Sequence, residues 1–413
     1  LWRVGEGGAA PVAGPDGTPV RLPSAGVVGL ADAGGKIWLA LQRGGVLELD
    51  PASGRTLAIR HDAADPAGLP DDVVFAIRRD RAGLVWLGTR KGLARHDPAN
   101  RTFTSIRHSP LRTTGLAGAD PMAVEALPDG RVLVGYLSGG IDVLAPGGGV
   151  ARRLKPGEGG LPDGAILDFE PAGDAVYMAH QHGLARLDLA AGTAAAVALP
   201  GTDRLVHSVL SWQGRLWVGA RAGLLVAEPG GAEARPFRCA DGASPAAGLN
   251  SMALRPGPDG RLWIGTPAGV ARLDPGTCAL ETLAHDPKDP ASLPPGLVST
   301  IHFDGAGRPW VGTMGGGIAV GGPGGGTRFT TVGPAAGLPS GNVGLLLGDG
   351  AGAVWASTAD GIARVSPDLA VQAFGGPDGV SVPAYWVRSG AVTPSGGLLF
   401  GGGGGLTAVD PGA

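Results

Sequence analysis

Short apolar runs, four to eight residues long and bounded by Gly, Pro and Asp, follow one another along the chain in groups of four. Around Trp86 the group reads VVFAIRRD (73–80), alternating apolar and polar; LVWLGT (84–89), β-branched and aromatic; GLARHD (92–97), after a tight glycine turn; and RTFTSIRH (101–108), more polar and edge-like. Alternation with a period of two and continuous apolar runs of this length both predict β-strands. Each group therefore predicts one four-stranded antiparallel sheet, its strands lettered A to D from inside to outside.

The same spelling returns about every 46 residues, as GLVWLGTRKGLARHDP from Gly83, GRLWVGARAGLLVAEP from Gly214, GRLWIGTPAGVARLDP from Gly260, GRPWVGTMGGGIAV from Gly307 and GAVWASTADGIARVSP from Gly352. Weaker copies begin at Gly35, Gly130, Gly173 and Gly396. The repeat cores, 35–51, 83–98, 130–144, 173–188, 214–229, 260–275, 307–320, 352–367 and 396–411, fill residues 1–413 as one domain of nine units. A four-stranded sheet cannot bury both faces alone, so such units stack face to face in a circle. Trp86, Trp217, Trp263, Trp310 and Trp355 are then the core between blades, each contributing about 2 to 3 kcal/mol on burial. The expected fold is all-β, a single β-propeller of nine four-stranded blades.

The chain ends bear on closure. The ninth unit supplies strands at 384–392, 397–402 and 406–410 and no fourth, while TPVRLP (18–23) precedes the first unit as a surplus strand resembling TRFTTV (327–332). The N-terminal strand is therefore expected to complete the last blade. The alternative is a seven-bladed ring plus two extra blades, which would leave an apolar face without cover.

Composition narrows the function. With 77 Gly and 36 Pro in 413 residues, disorder comes to mind, but the glycines keep register with Trp, Val, Ile and Leu as turns between strands do. A net charge of −3 and scattered arginines offer no field for a phosphate backbone, so nucleic acid is not an expected partner. No run of about 20 apolar residues predicts a membrane span, and residues 1–30 show no signal-peptide pattern, so an export signal or anchor is expected outside this chain. Cys239 and Cys278 form no metal-binding spacing; free buried thiols are expected, a disulfide being the alternative.

The unit GLPDDVVFAIRRDRAGLVWLGTRKGLARHDPANRTFTSI resembles the repeat of the two-component regulator propeller family through Gly68, Leu69, Val74, Ile77, Asp80, Gly83, Trp86, Gly88, Thr89, Gly92, Leu93, Arg95 and Asp97. The resemblance extends along essentially the whole chain and is weakest near Gly130 and Gly173. It implies the extracytoplasmic sensor propeller of a histidine kinase, hybrid two-component protein or diguanylate cyclase, detecting a saccharide or other nutrient from the periplasm or the extracellular space. The chain departs from the family in having nine units where fourteen in two rings are common, and in lacking an immunoglobulin-like domain and an output domain. Downstream signalling domains would lie outside it.

Residues recurring in many units, such as Asp80, Asp97, Asp188 and Asp274, are turn-forming carboxylates. Residues unique to one unit are the site candidates, and they gather in the B-to-C and D-to-A loops on one face. Tyr385 and Trp386 replace small aliphatics and suit stacking on a sugar or planar ligand, with packing against a neighbouring blade as the alternative. His180, His182 and His207 offer three imidazoles; solvated or hydrogen-bonded histidine is the bland reading, and no metal or cofactor is expected. Tyr136 and Asn250 complete the polar set. Arg90, beside Lys91, suits a carboxylate or sulfate, or simply a solvated turn.

Neither GxSxG, HExxH nor a Cys/His pair is present, so a non-catalytic module binding a small polar ligand is expected. A protein interaction scaffold and a propeller lyase or hydrolase are the alternatives; a scaffold predicts a sizeable exposed apolar patch.

Overall fold

In the computed structural model all residues are described except 6–7, 21, 23–25, 64–67, 101 and 109–114. The chain is all-β and forms nine blade-type sheets, eight four-stranded and one three-stranded, plus a two-stranded hairpin. Nine repeats thus yield nine sheets. They belong to two compact units, Leu1–Arg101 and Thr102–Ala413.

One repeat shows why the spelling folds this way. In the sheet of Trp310 the Asp304 carboxylate accepts the backbone N–H groups of Ala306 and Arg308 at 3.0 and 3.0 Å, which ties the turn ahead of the strand Pro309–Thr313. Its other oxygen accepts the indole N–H of Trp310 at 2.9 Å, so the fully buried ring has its one polar atom satisfied. Gly312 is demanded by the neighbouring sheet, because a Cβ there would lie 2.8 Å from Val343 Cγ1. The tryptophans at positions 217, 263, 310 and 355 are each at most 2% exposed, as the repeat predicts.

The larger unit is a β-propeller of seven four-stranded sheets. Its innermost strands, Pro121–Ala126, Ile166–Ala172, Val206–Trp212, Ala253–Pro256, Val298–Phe303, Val343–Gly348 and Tyr385–Val392, each touch the next, and the last touches the first. Ser389 Oγ donates to Pro121 O at 2.7 Å, and Leu399 and Ala391 share a core cluster with Val124 and Val132. The circuit therefore closes on seven sheets, the arrangement held above as the alternative to nine.

Closure also corrects the expected clasp. The last sheet is completed by Phe103–Arg107, which pairs antiparallel with Gly405–Val409, and not by residues 18–23. Phe103 packs against Phe374 and Trp355 with ring centroids 5.0 and 6.3 Å away, burying an aromatic that the segment 18–23 does not possess. The same pairing leaves the sheet of Trp86 with three strands, Val74–Arg79, Val85–Thr89 and Gly92–His96.

Within the smaller unit, Pro19 bridges to Ala13 and Val20 N–H donates to Val12 O at 2.7 Å; Arg21 and Pro23 of the expected clasp lie outside the described residues. Leu1, Val12, Val20 and Leu22 pack on Leu39, Leu41, Leu47 and Leu49 of the first four-stranded sheet. They cover one of the faces that two stacked sheets would otherwise expose. A second correction concerns the cysteines: Cys239 and Cys278, with Cα atoms 5.9 Å apart, are joined in a disulfide between successive sheets of the larger unit.

Candidate functional site

Five innermost strands of the larger unit carry a bulge of one residue near their start. Val343 faces Thr358 and Leu345 faces Ser357, and the same shift falls at Pro121/Ala123, Ile166/Asp168, Val206/Ser208 and Val298/Thr300. In the seventh sheet Tyr385 faces Gly402 and Gly390 faces Phe400, so three residues are extra instead of one. The enlarged bulge brings Tyr385–Val392 against Ile166–Ala172 and Val298–Phe303 as well as its immediate neighbours. Bulges of this kind re-aim side chains.

Arg388 is the residue re-aimed. Its φ is 60°, a left-handed conformation that a non-glycine residue adopts only when its surroundings enforce it. Its side chain lines a cavity of about 140 Å³ along the axis, with Glu125, Asp168, Glu170, Ser208 and Arg255. At this spot polar atoms lack partners. Ser208 Oγ, Trp386 Nε1, Arg388 Nε and Arg388 Nη1 are shielded from solvent without a hydrogen bond to another protein group. Such orphans are rare in folded proteins, where ordered water or a bound molecule supplies the partners.

The carboxylates are better anchored. Asp168 accepts the backbone N–H groups of Phe169 and Val209 at 3.0 and 3.0 Å, and Glu170 accepts that of Ser211 at 2.9 Å. Burial pushes the Glu125 carboxyl up to about 8, reinforced by the charges of Asp168 and Glu170. Burial also raises Glu170 to about 7, and Asp168 to about 6 against the opposing pull of Arg388. His207 is pushed down to about 4, by burial first and then by the Arg388 charge, so its imidazole is neutral at pH 7. Arg388 itself is lowered by burial.

The residues singled out in the sequence separate into groups. His207, Asn250 and Trp386 lie near Arg388 but are not among the residues lining the cavity: His207 hydrogen-bonds the Asn250 side chain and feels the Arg388 charge, and Trp386 belongs to the same bulge as Arg388. Tyr385 takes its packing alternative, only 7% exposed, with its hydroxyl 2.7 Å from Thr407 Oγ1. Tyr136 is likewise core, donating to Asp142 at 2.7 Å. His180 and His182 pair with each other, ring centroids 6.5 Å apart, the backbone N–H of His182 donating to His180 Nδ1. The three imidazoles do not converge, and among the described residues no three His, Cys, Asp or Glu side chains group so as to hold a metal ion. Arg90 belongs to the smaller unit and bonds Asp71 at 3.0 Å.

Glu125, Asp168, Glu170, Arg255 and Arg388 escaped the sequence reading, which searched the loops. The signal was weak: Glu125, Glu170 and Arg255 face Leu133, Tyr177 and Trp263 on the next strand, a position where other inner strands carry Arg78 and His302.

The family model described as two component regulator propeller matches residues 68–91. A comparison with curated proteins gave no match. Among solved structures, the extracellular domain of the putative hybrid two component system BT3049 from B. thetaiotaomicron superimposes with a TM-score of 0.77 at 18% identity, over 93% of this chain and 51% of that one. The extracellular domain of the putative hybrid two component system BT4673 from the same organism gives 0.60 at 18% identity, over 92% and 52%. Virginiamycin B lyase from Staphylococcus aureus gives 0.56 at 13% identity, over 74% and 98%. The chain spans about half the length of the two-component domains it resembles. It carries a two component regulator propeller repeat and shares its propeller fold with the extracellular domains of two-component systems.

Proposed function

We propose that this chain is a non-catalytic sensor propeller of a signalling receptor, exposed outside the cytoplasm, and that it binds a small polar ligand at the cavity mouth formed by His207, Asn250, Trp386 and Arg388. The observation that carries the reading is the pair of side chains with buried, unpartnered polar atoms, Trp386 and Arg388, in an enlarged bulge unlike that of any other sheet of the larger unit. A rigid ring with one irregular, polar opening suits recognition. The disulfide supports an oxidising compartment. Signalling partners would be further domains of a longer protein, in keeping with the half-length coverage of the two-component domains.

A docking scaffold fits less well. Among the described residues of the larger unit, the exposed large apolar side chains are Leu137 and Val392 alone, too few for a contiguous patch. The test is a thermal-shift and calorimetric survey of the full chain with monosaccharides, organic acids and amino acids, repeated with Trp386→Ala and His207→Ala. A ligand whose binding is lost or weakened at least tenfold in both variants is expected. Binding that survives both substitutions unchanged would remove this mouth as the site.

A further inference from the structure

The cavity holds opposite charges that do not close on each other. Arg388 forms no salt bridge among the described residues, yet its charge acts on Asp168 within the same cavity. Asp168 is held back, each of its oxygens tied to a backbone N–H, while Arg388 is presented to the cavity from its left-handed position in the bulge. Glu170, held through Ser211, and Glu125 lie on the same carboxylate side. Fixed, separated charges of both signs in a site shielded from water are complemented by a molecule carrying both signs.

We infer that the ligand of this cavity is a small zwitterion of the amino-acid class, its carboxylate held by the Arg388 guanidinium and its ammonium group by Asp168, with Glu170 and Glu125 behind it. The inference rests on the cavity being the binding site proposed above. Arg388 carries unpartnered N–H donors at Nε and Nη1, either of which can give a carboxylate one charge-assisted hydrogen bond. Asp168 retains acceptor capacity on both oxygens beyond the backbone bonds that anchor it. A plain anion would face three carboxyl groups, and a plain cation would face Arg388 and Arg255. Size points the same way: a volume of about 140 Å³ accommodates about five waters, hence a ligand of roughly five to seven non-hydrogen atoms, well short of an oligosaccharide.

Isothermal titration calorimetry of the full chain at pH 7 with glycine, L-alanine, L-serine and L-glutamate tests this, with propionate and ethylamine as the two halves of alanine and glucose as a neutral probe. At least one amino acid is expected to bind, and each half-molecule to bind about 10- to 100-fold more weakly than alanine, as expected for losing one charged hydrogen-bonded contact. Arg388→Gln should lower amino-acid affinity by the same factor, and Asp168→Asn likewise; Arg388→Lys, which keeps the charge on a shorter side chain, should fall between wild type and Arg388→Gln. Circular dichroism establishes that each variant folds. Half-molecules that bind as tightly as alanine, or amino-acid binding that survives Arg388→Gln and Asp168→Asn, would overturn the inference. Glucose binding that is lost in Arg388→Gln, with no amino acid bound, would overturn the zwitterion and leave the site standing. The absence of binding by every amino acid also overturns it.

Discussion

Phe103 lies opposite Val409 in an antiparallel pair, so the strand that completes the last sheet comes from a point one quarter of the way along the chain. This pairing makes Thr102–Ala413 a closed ring, since every other sheet of that unit is built from consecutive strands. Phe103→Ala removes a ring packed on Phe374 and Trp355 and is expected to destabilise the larger unit by about 3 kcal/mol. Hydrogen exchange of the Gly405–Val409 amides should accelerate in step. Val20→Ala, in the strand first expected to close the ring, should leave that exchange unchanged.

Asp304 serves two purposes at Trp310, holding both the turn and the indole N–H. Asp304→Ala leaves a buried donor and two turn amides without an acceptor, and a loss of about 2 to 4 kcal/mol in denaturant unfolding is expected. Trp310→Phe loses the hydrogen bond and some volume, and the double variant should cost less than the sum because both changes remove the same bond.

Cys239 and Cys278 enclose a loop with a sequence separation of 39. Reduction, or the paired Cys239→Ser and Cys278→Ser substitution, is expected to lower the stability of the larger unit by about 2 to 4 kcal/mol. Mass spectrometry of the non-reduced chain should show both thiols absent; alkylation of two free thiols in the native protein would contradict the bridge.

The buried acids give stability a pH signature. Glu125 has a folded value of about 8 against an ordinary 4.5, so between these values the folded state binds more protons than the unfolded state and stability falls as pH rises. Glu170 and Asp168 act in the same direction up to about 7 and about 6. His207, His180 and His302, each lowered to about 4 from 6.5, act oppositely, stability falling as pH drops through that interval. Glu125→Gln removes one acidic contribution. Its melting temperature should match wild type near pH 4.5 and exceed it at pH 8, by a margin on the order of 3 kcal/mol in unfolding free energy. An identical pH profile for the two proteins would show that Glu125 ionises freely in the fold.

From its sequence alone this chain is determined to be a run of nine sheets, each with its Trp or equivalent packed inside except Trp86, which is half-buried, because strand alternation, turn glycines and the Asp to Trp spacing act within about 46 residues. The crowding at Gly312 is also written locally, the same position being Gly88, Gly135, Gly219, Gly265 and Gly401 in other repeats and Ala40, Ala179 or Ser357 in the rest. What only the tertiary structure decided is which sheets close on which. RTFTSIRH and TPVRLP read alike as edge strands, and the choice between them was made by the aromatic packing of Phe103, a contact spanning most of the chain. The site was half legible for the same reason. Trp386, His207 and Asn250 stand out as residues unusual for their places in the repeat, whereas the alternation around Arg388 and the acids does not reveal that one face meets an axial cavity. That face exists only once seven inner strands surround a common axis, and the bulge that turns Arg388 into it is a mismatch of register with a partner strand, which no single strand displays by itself.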